Sequence, residues 1–324
     1  MFNMKKVVSA GAALLLAGTI SATSAYAGDY PEESIDVIVA FGPGGGTDVA
    51  ARTIQPFIEK YLGADLVVIN KPGAGGEIGF SLLASAKPDG YTIGFINLPA
   101  MYGYSYERET AYTPKSFKGV ANLVYDPGII AVPADSDIKD LKQLIQFGID
   151  SPGALPIGTS GSVGSSEHIA ILQMQEKTGA KFNHVPFGST APLRTALLGG
   201  HIPAAAFNLS EAVEYMNEGS LRILGVMANE RSEWVPEVPT FKELGIDVVN
   251  GSSRGLAVPT GTPEDIVTKL SAAVEKAITD PEYVKKAKSA GVPVKYLNDK
   301  DYDQFLLDTS TRLDAIWEKT PWTK

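Results

Sequence analysis

The chain has no cysteine among its 324 residues. Disulfide scaffolds, thiol catalysis and cysteine-ligated metals are therefore excluded, as is a lipid-bearing cysteine at a processed N-terminus. Histidine is nearly as scarce, at three: His168, His184 and His201. With no HExxH motif, a zinc site would need scattered ligands, and a serine triad would have to recruit one of these three. Their settings, a helical first turn, a strand and a helix end, suit structural roles better, so neither metal nor cofactor is expected. Basic residues are outnumbered 28 to 37, giving a net charge of −9. That balance argues against nucleic acid, which needs a basic footprint, although a local site can oppose the global field and take an anion. Beyond the N-terminus no apolar run approaches a membrane span. No low-complexity tract interrupts a composition that is 44% hydrophobic, as in ordinary globular proteins.

The N-terminus carries a compartment signal. "MFNMKK" supplies Lys5 and Lys6, a short apolar run follows, and Ala25-Tyr26-Ala27 precedes Gly28. This is the pattern of a secretory signal peptide over residues 1–27, cleaved near Ala27/Gly28. It predicts a periplasmic protein. Loss of Lys5 and Lys6 takes the net charge from −9 to −11, and removing 27 of 324 residues leaves 297, room for about two domains.

Strand and helix patterns alternate along the rest. "IDVIVAF" (35–41), "DLVVIN" (65–70) and "GYTIGFINL" (90–98) read as strands, separated by helices over 48–63 and from Glu77. Such βαβ units imply a parallel sheet. The scheme restarts near residue 119, with strands predicted at 128–134, 154–160, 182–187, 204–209 and 221–228 and helices between them. The C-terminal part is helical, opened by Thr262 as a cap and Pro263 in the first turn. Tyr302, Phe305, Leu306, Leu313 and Ile316 recur there at helical spacing, which reads as packing.

One device occurs twice: a strand, a glycine-rich loop and a helix. Its copies are "IDVIVAFGPGGGTDVAAR" and "ALPIGTSGSVGSSEHIAILQ". Each presents free N–H groups at a helix N-terminus, where four donors lack an intrahelical partner and the dipole is positive. Charge-assisted hydrogen bonds to such donors contribute roughly 1.5–3 kcal/mol each. Two loops closing from opposite sides could hold an anion at about micromolar affinity, about 8 kcal/mol. A dinucleotide reading fails because Val49 stands where the GxGxxG fingerprint needs Gly or Ala, and no GxxxxGK[ST] exists. A hydrolase using Ser160, Ser162 or Ser165 lacks the nucleophile elbow, since Ser162 replaces its last glycine. Arg254, in "NGSSRGLAVP", suits either bidentate carboxylate recognition or a surface salt bridge. Asn208, ending "AAAFNL", suits either an amide contact to a ligand or a helix cap.

The order of these motifs is informative as a set. "VIVAFGPGGGTD", "NKPGAGG", "GTSGSVGSSEH", "HVPF", "LLGGHI", "VPTF" and "GTP" succeed one another between Tyr30 and Pro263. The sequence resembles the substrate-binding proteins of tripartite tricarboxylate transporters, the Bug family of periplasmic receptors, over nearly its whole exported length. The resemblance implies an α/β, two-domain Venus-flytrap fold, each domain a mixed, mostly parallel sheet flanked by helices. Domain 1 would comprise 28–128 plus 251–324 and domain 2 would comprise 129–250. It implies a small organic carboxylate, di- or tricarboxylate, held in the cleft and passed to a membrane permease, with a sensor kinase as the alternative partner. It does not imply an enzyme.

Carried onto this chain, the first loop is Phe41 to Asp48, with Gly44, Gly45, Gly46 and Thr47 within it. The second is Thr159 to Ser166, with Ser160, Gly161, Ser162 and Ser165 within it. Asn208 and Arg254 complete the expected ligand-binding set. The second loop is one residue longer than the family pattern. Many relatives have an aromatic near position 254, and an arginine there implies a second carboxylate on the ligand.

Overall fold

The computed structural model describes residues 30–322. The expected signal peptide, 1–27, lies outside them. The first half of the chain runs β1 (Ile35–Val39), α1 (Gly46–Leu62), β2 (Leu66–Asn70), α2 (Glu77–Ala84), β3 (Thr92–Leu98), α3 (Ala100–Glu107) and β4 (Phe117–Pro133). It continues through α4 (Leu141–Asp150), β5 (Pro156–Thr159), α5 (Ser166–Thr178), β6 (Asn183–Pro186), α6 (Thr190–Leu198), β7 (Ala204–Asn208), α7 (Val213–Asn217) and β8 (Leu221–Val226). The chain then returns through β9 (Gly251–Pro259), α8 (Glu264–Thr279), α9 (Pro281–Ser289), β10 (Val294–Leu297) and α10 (Asp299–Lys319).

The strands follow the order β2-β1-β3-β9-β4-β7-β5-β6, with β8 and β10 also bonded to β4. The pairings of β1 with β2 and β3, and of β5 with β6 and β7, are parallel, as the βαβ spacing predicts. Those of β4 and β9 are antiparallel, so the sheet is mixed. From Phe117 to Pro127, β4 pairs with β9; from Gly128 onward it pairs with β7 and β8. Pro127 has no N–H to offer a ladder, and it stands where the partners change. One strand thus links two half-sheets. The chain crosses back near Asn250, whose carbonyl accepts from Gly128 N at 2.9 Å.

Helices cover both faces of each half-sheet. In the first half, Ile54 and Ile58 of α1 and Val267, Leu270 and Val274 of α8 pack on Ile35, Val37 and Val39. On the opposite face Phe80, Leu83, Met101, Tyr302, Leu306 and Leu313 form a second core, the packing role expected of α10. Fully burying such a side chain stabilises the fold by about 1.5–3 kcal/mol. In the second half, Leu141, Leu144, Ile171 and Met174 cover one face, and Leu193 and Leu197 the other.

The halves also touch directly. Ile169 of α5 joins the core of the first half, and a Cβ built on Gly103 would lie 2.0 Å from Gly164 O. Only glycine allows that backbone approach. Local expectations differ from the structure in three ways. The strand expected at 128–134 begins at Phe117; α3, β9 and β10 are elements the sequence patterns do not predict; and Thr262 does not cap α8. Its hydroxyl donates to Pro259 O at 2.8 Å, and Pro263 takes the cap position. Among the described residues no helix is long and apolar enough to cross a membrane.

Candidate functional site

A cleft of about 810 Å³ separates the two half-sheets. The loop after β1 forms one wall. Gly44 sits at φ +75, a left-handed conformation that favours glycine. Its N–H donates to Asp48 Oδ2 at 2.9 Å, while Asp48 Oδ1 accepts from Arg52 Nε and from Asn70 Nδ2, each at 2.9 Å. Asp48 is therefore the brace of the loop and does not line the cleft. Phe41, Gly44, Gly45, Gly46 and Thr47 do. No side chain caps α1 at Gly45, which leaves the first-turn N–H groups beside the cleft without a side-chain acceptor. Thr47 Oγ1 accepts from Asn97 Nδ2 at 2.8 Å, and Asn97 also lines the cleft.

The loop after β5 forms the facing wall with Ser160, Gly161, Ser162, Ser165 and Ser166. The two copies of the device differ here. Ser165 caps α5 by accepting from His168 N at 3.3 Å, and Gly164 N donates to His168 Nδ1 at 3.1 Å. Thr159 turns behind the loop, donating to Gly161 O at 2.8 Å with its hydroxyl 2.7 Å from His184 Nε2. It does not line the cleft. The rings of His168 and His184 lie 4.3 Å apart. Burial pushes His168 down to about 3, helped by the neighbouring His184, and burial pushes His184 down to about 4. Both are neutral near pH 7. Among the described residues no imidazole hydrogen-bonds a serine hydroxyl, and the Ser160 hydroxyl donates instead to the Glu167 carboxylate at 2.8 Å.

Arg254 is buried, not a surface ion-pair residue. It projects from β9 into the cleft wall, 3% exposed, and its Nη1 donates to Asp126 Oδ2 at 2.8 Å. Burial opposes its charge, but Asp126 and Glu211 outweigh that and raise its pKa. Among the described residues its Nε has no partner. Asp126, on β4 at the crossing between the halves, also accepts from Ser210 N at 3.0 Å and from the Ser210 hydroxyl. Asn208 has the capping role open to it, and its amide donates to Glu167 at 3.3 Å. It lines the cleft, and with Glu211 it forms a capping box at the turn that follows β7.

Several lining residues escaped the sequence reading. Glu167 accepts from the Ser160 hydroxyl at 2.8 Å and from Asn208 Nδ2 at 3.3 Å. Glu211 accepts from the Thr190 hydroxyl at 3.0 Å and Asn208 N at 3.2 Å. Burial, together with Asp126 and Glu167, pushes Glu211 up to about 7 against the opposing pull of Arg254. Gly188, Ser189 and Thr190 lead from β6 into α6 with no side-chain cap. This strand, glycine-hydroxyl turn and helix repeat the same device a third time, so "FGST" was the available signal. Arg194 lies over the Tyr215 ring at 4.5 Å. Among the described residues no group of three or more His, Asp or Glu is placed to hold a metal ion.

Comparison with known proteins bears directly on this cleft. The sequence model of the "Tripartite tricarboxylate transporter family receptor" matches residues 50–321. A Cupriavidus necator protein described as "UPF0065 protein in gbd 5'region" is 35% identical over 97% of this chain and 94% of its own. A TctC solute-binding protein from Polaromonas, solved without ligand, is 34% identical, with a TM-score of 0.72 over 90% of this chain and 100% of its own. MatC from Rhodopseudomonas palustris, solved with bound malate, is 29% identical, with a TM-score of 0.80 over 89% of this chain and 99% of its own. The fold is accordingly that of the periplasmic binding proteins, and its function is solute binding, not catalysis. The chain belongs to the tripartite tricarboxylate transporter receptor family.

Proposed function

We propose that this protein captures a small organic carboxylate in the periplasm and presents it to a tripartite tricarboxylate transporter permease. The observation that carries this reading is the uncapped N-terminus of α1 at the cleft, beside the buried Arg254. Backbone donors and a positive dipole there favour an anion, and Arg254 adds a guanidinium whose Nε is unpaired. The hydroxyls of Ser162 and Ser189 supply further donors from the facing wall. MatC's bound malate, on a related chain, supports a ligand of the same class. The ligand-binding set is Phe41, Gly44, Gly45, Gly46, Thr47, Ser160, Gly161, Ser162, Ser165, Ser166, Asn208 and Arg254. Asp48 and Thr159 act by holding the two loops.

Residues 28–128 with 251–324 form one domain in this reading, and 129–250 form the other. They close over the ligand by bending at β4 and at the return near Asn250. A ligand contacting both walls favours the closed state through its differential affinity. The expected signal peptide accounts for export.

Thermal unfolding against a panel of mono-, di- and tricarboxylates, with neutral sugars as controls, tests the binding step. A ligand at about 100 times its dissociation constant adds about 2.7 kcal/mol to stability. A midpoint rise confined to carboxylates is expected, and a rise with sugars alone would contradict the reading. The delivery step is tested by carboxylate uptake in cells with and without this protein; equal uptake in both would contradict it.

A further inference from the structure

The loop between β2 and α2 also borders the cleft. It carries the "NKPGAGG" run, and Pro72, Gly73, Ala74, Gly75 and Gly76 all line the cavity. Pro72 and Ala74 are exposed, Gly75 is half-buried and Gly76 is buried, so the loop stands between the cleft and bulk water. Four successive residues have positive φ: +135 at Gly73, +48 at Ala74, +72 at Gly75 and +107 at Gly76. Ala74 is the one non-glycine with positive φ among the described residues. A residue with a Cβ keeps that conformation only where its surroundings impose it.

The imposing groups come from α3. The Tyr104 hydroxyl donates to Gly75 O at 2.8 Å. Arg108, the residue after α3, donates through Nη2 to Ala74 O at 3.2 Å and through Nε to Glu77 Oε2 at 2.6 Å. Its Nη1 pairs with Glu107, and its guanidinium lies over the Tyr104 ring at 5.1 Å. One planar fork of donors thus ties the strained run to the first residue of α2, a grip that a single ammonium does not reproduce. Arg108 itself does not line the cleft.

Held in this way, the loop meets the opposite half. A Cβ built on Gly75 would lie 3.0 Å from Ser162 Oγ and 2.7 Å from the Tyr104 hydroxyl. Ser162 belongs to the loop after β5 and is half-buried. The gap between Gly75 and Ser162 therefore has no room for a side chain, and the two halves come together at the rim of the cleft.

We infer that Arg108 is a positioning residue: with Tyr104 it holds the 72–76 loop as a rim that shuts the cleft against Ser162. A rim of this kind slows the departure of whatever the cleft holds. The inference rests on the receptor reading only for what is retained. Its test uses the empty protein, so a solute panel without effect would overturn that reading and leave the rim standing.

The test is hydrogen–deuterium exchange, read by mass spectrometry, on the purified protein without solute. Arg108→Met removes the fork and should speed exchange about ten-fold or more in peptides covering 71–77 and 160–166, while α8 and β9 keep wild-type rates, because local openings are separate from global unfolding. Arg108→Lys should recover part of the protection. Tyr104→Phe, which loses only the bond to Gly75, should speed the same two segments by less, and it decides the matter should Arg108→Met fail to fold. Wild-type exchange at 71–77 in these variants overturns the positioning role. Faster exchange at 71–77 with none at 160–166 overturns the closure against Ser162. Faster exchange everywhere, α8 and β9 included, would show a general structural role and overturn the assignment as well.

Discussion

Arg254 and Asp126 meet at 2.8 Å from neighbouring strands, β9 and β4, with the arginine 3% exposed and the aspartate fully buried. The pair stands where β4 passes from one half-sheet to the other, so it joins the cleft wall to the crossing strand. Removing one partner of a buried pair strands the other charge, at about 3–5 kcal/mol. Asp126→Ala should lower stability to chemical denaturation by that amount. Arg254→Met in the same chain should recover part of the loss, because no uncompensated charge then remains. A loss below about 1 kcal/mol in Asp126→Ala would show that water or Glu211 replaces the aspartate.

Gly46 keeps Arg254 in place by being small. A Cβ there would come within 2.7 Å of Arg254 Nη2, whereas one on Gly42 would meet nothing within 4 Å. Gly46→Ala should cost about 1–3 kcal/mol through overpacking and weaken solute binding as the guanidinium shifts. Gly42→Ala should stay within about 0.5 kcal/mol of wild type. Parallel unfolding and titration curves for the two variants check this.

Contact between the halves depends on Gly103 and Gly164. A methyl at Gly103 would sit 2.0 Å from Gly164 O, a clash with backbone that no rotamer relieves. Gly103→Ala should therefore hold the halves apart. Small-angle scattering should give a larger radius of gyration than wild type, with far-UV circular dichroism unchanged.

Buried titratable groups set an acid slope of known sign. His168 and His184 have folded values pushed down to about 3 and about 4. The unfolded chain takes up their protons near pH 6.5, so the stability they contribute is lost as pH falls below that value. Glu211 works oppositely. Pushed up to about 7, it contributes stability below its unfolded value near 4.5, and that stability is lost as pH rises through 7. Between about pH 4.5 and 6.5, two protons oppose one, and stability should rise with pH. Glu211→Gln should steepen the rise; a shallower slope in that variant would contradict the assignment.

Much of the fold was legible because its signals are local. β1 and β3 are apolar runs, α1 stops at Gly63 in a left-handed turn, and α10 carries its buried stripe at helical spacing. The central strands were harder. Ser252, Ser253 and Arg254 make β9 look like a polar loop although every residue of it is buried, and Asp126-Pro127 interrupts what is one strand. Both segments are polar because they build the cleft and the crossing, so function masked the strand pattern there. The glycine loops were legible as donors, but the acids around Arg254 come from separate elements, and no sequence spacing brings Glu167 beside Glu211. Asp48 and Thr159 were drawn into the expected set by their neighbours; their side chains turn to brace the loops.

Central to the account is an anion held on backbone donors at the start of α1. Gly45 offers the direct test, because its φ of −78 accepts any side chain and a Cβ there meets nothing closer than 3.4 Å. Isothermal titration of a carboxylate that binds the wild type, repeated on Gly45→Leu, is the decisive measurement. With two charge-assisted backbone bonds at roughly 1.5–3 kcal/mol each obstructed, affinity should fall by about 100-fold or more while the melting temperature stays close to wild type. Equal affinity in the two proteins would contradict the cradle and place the solute elsewhere in the cleft.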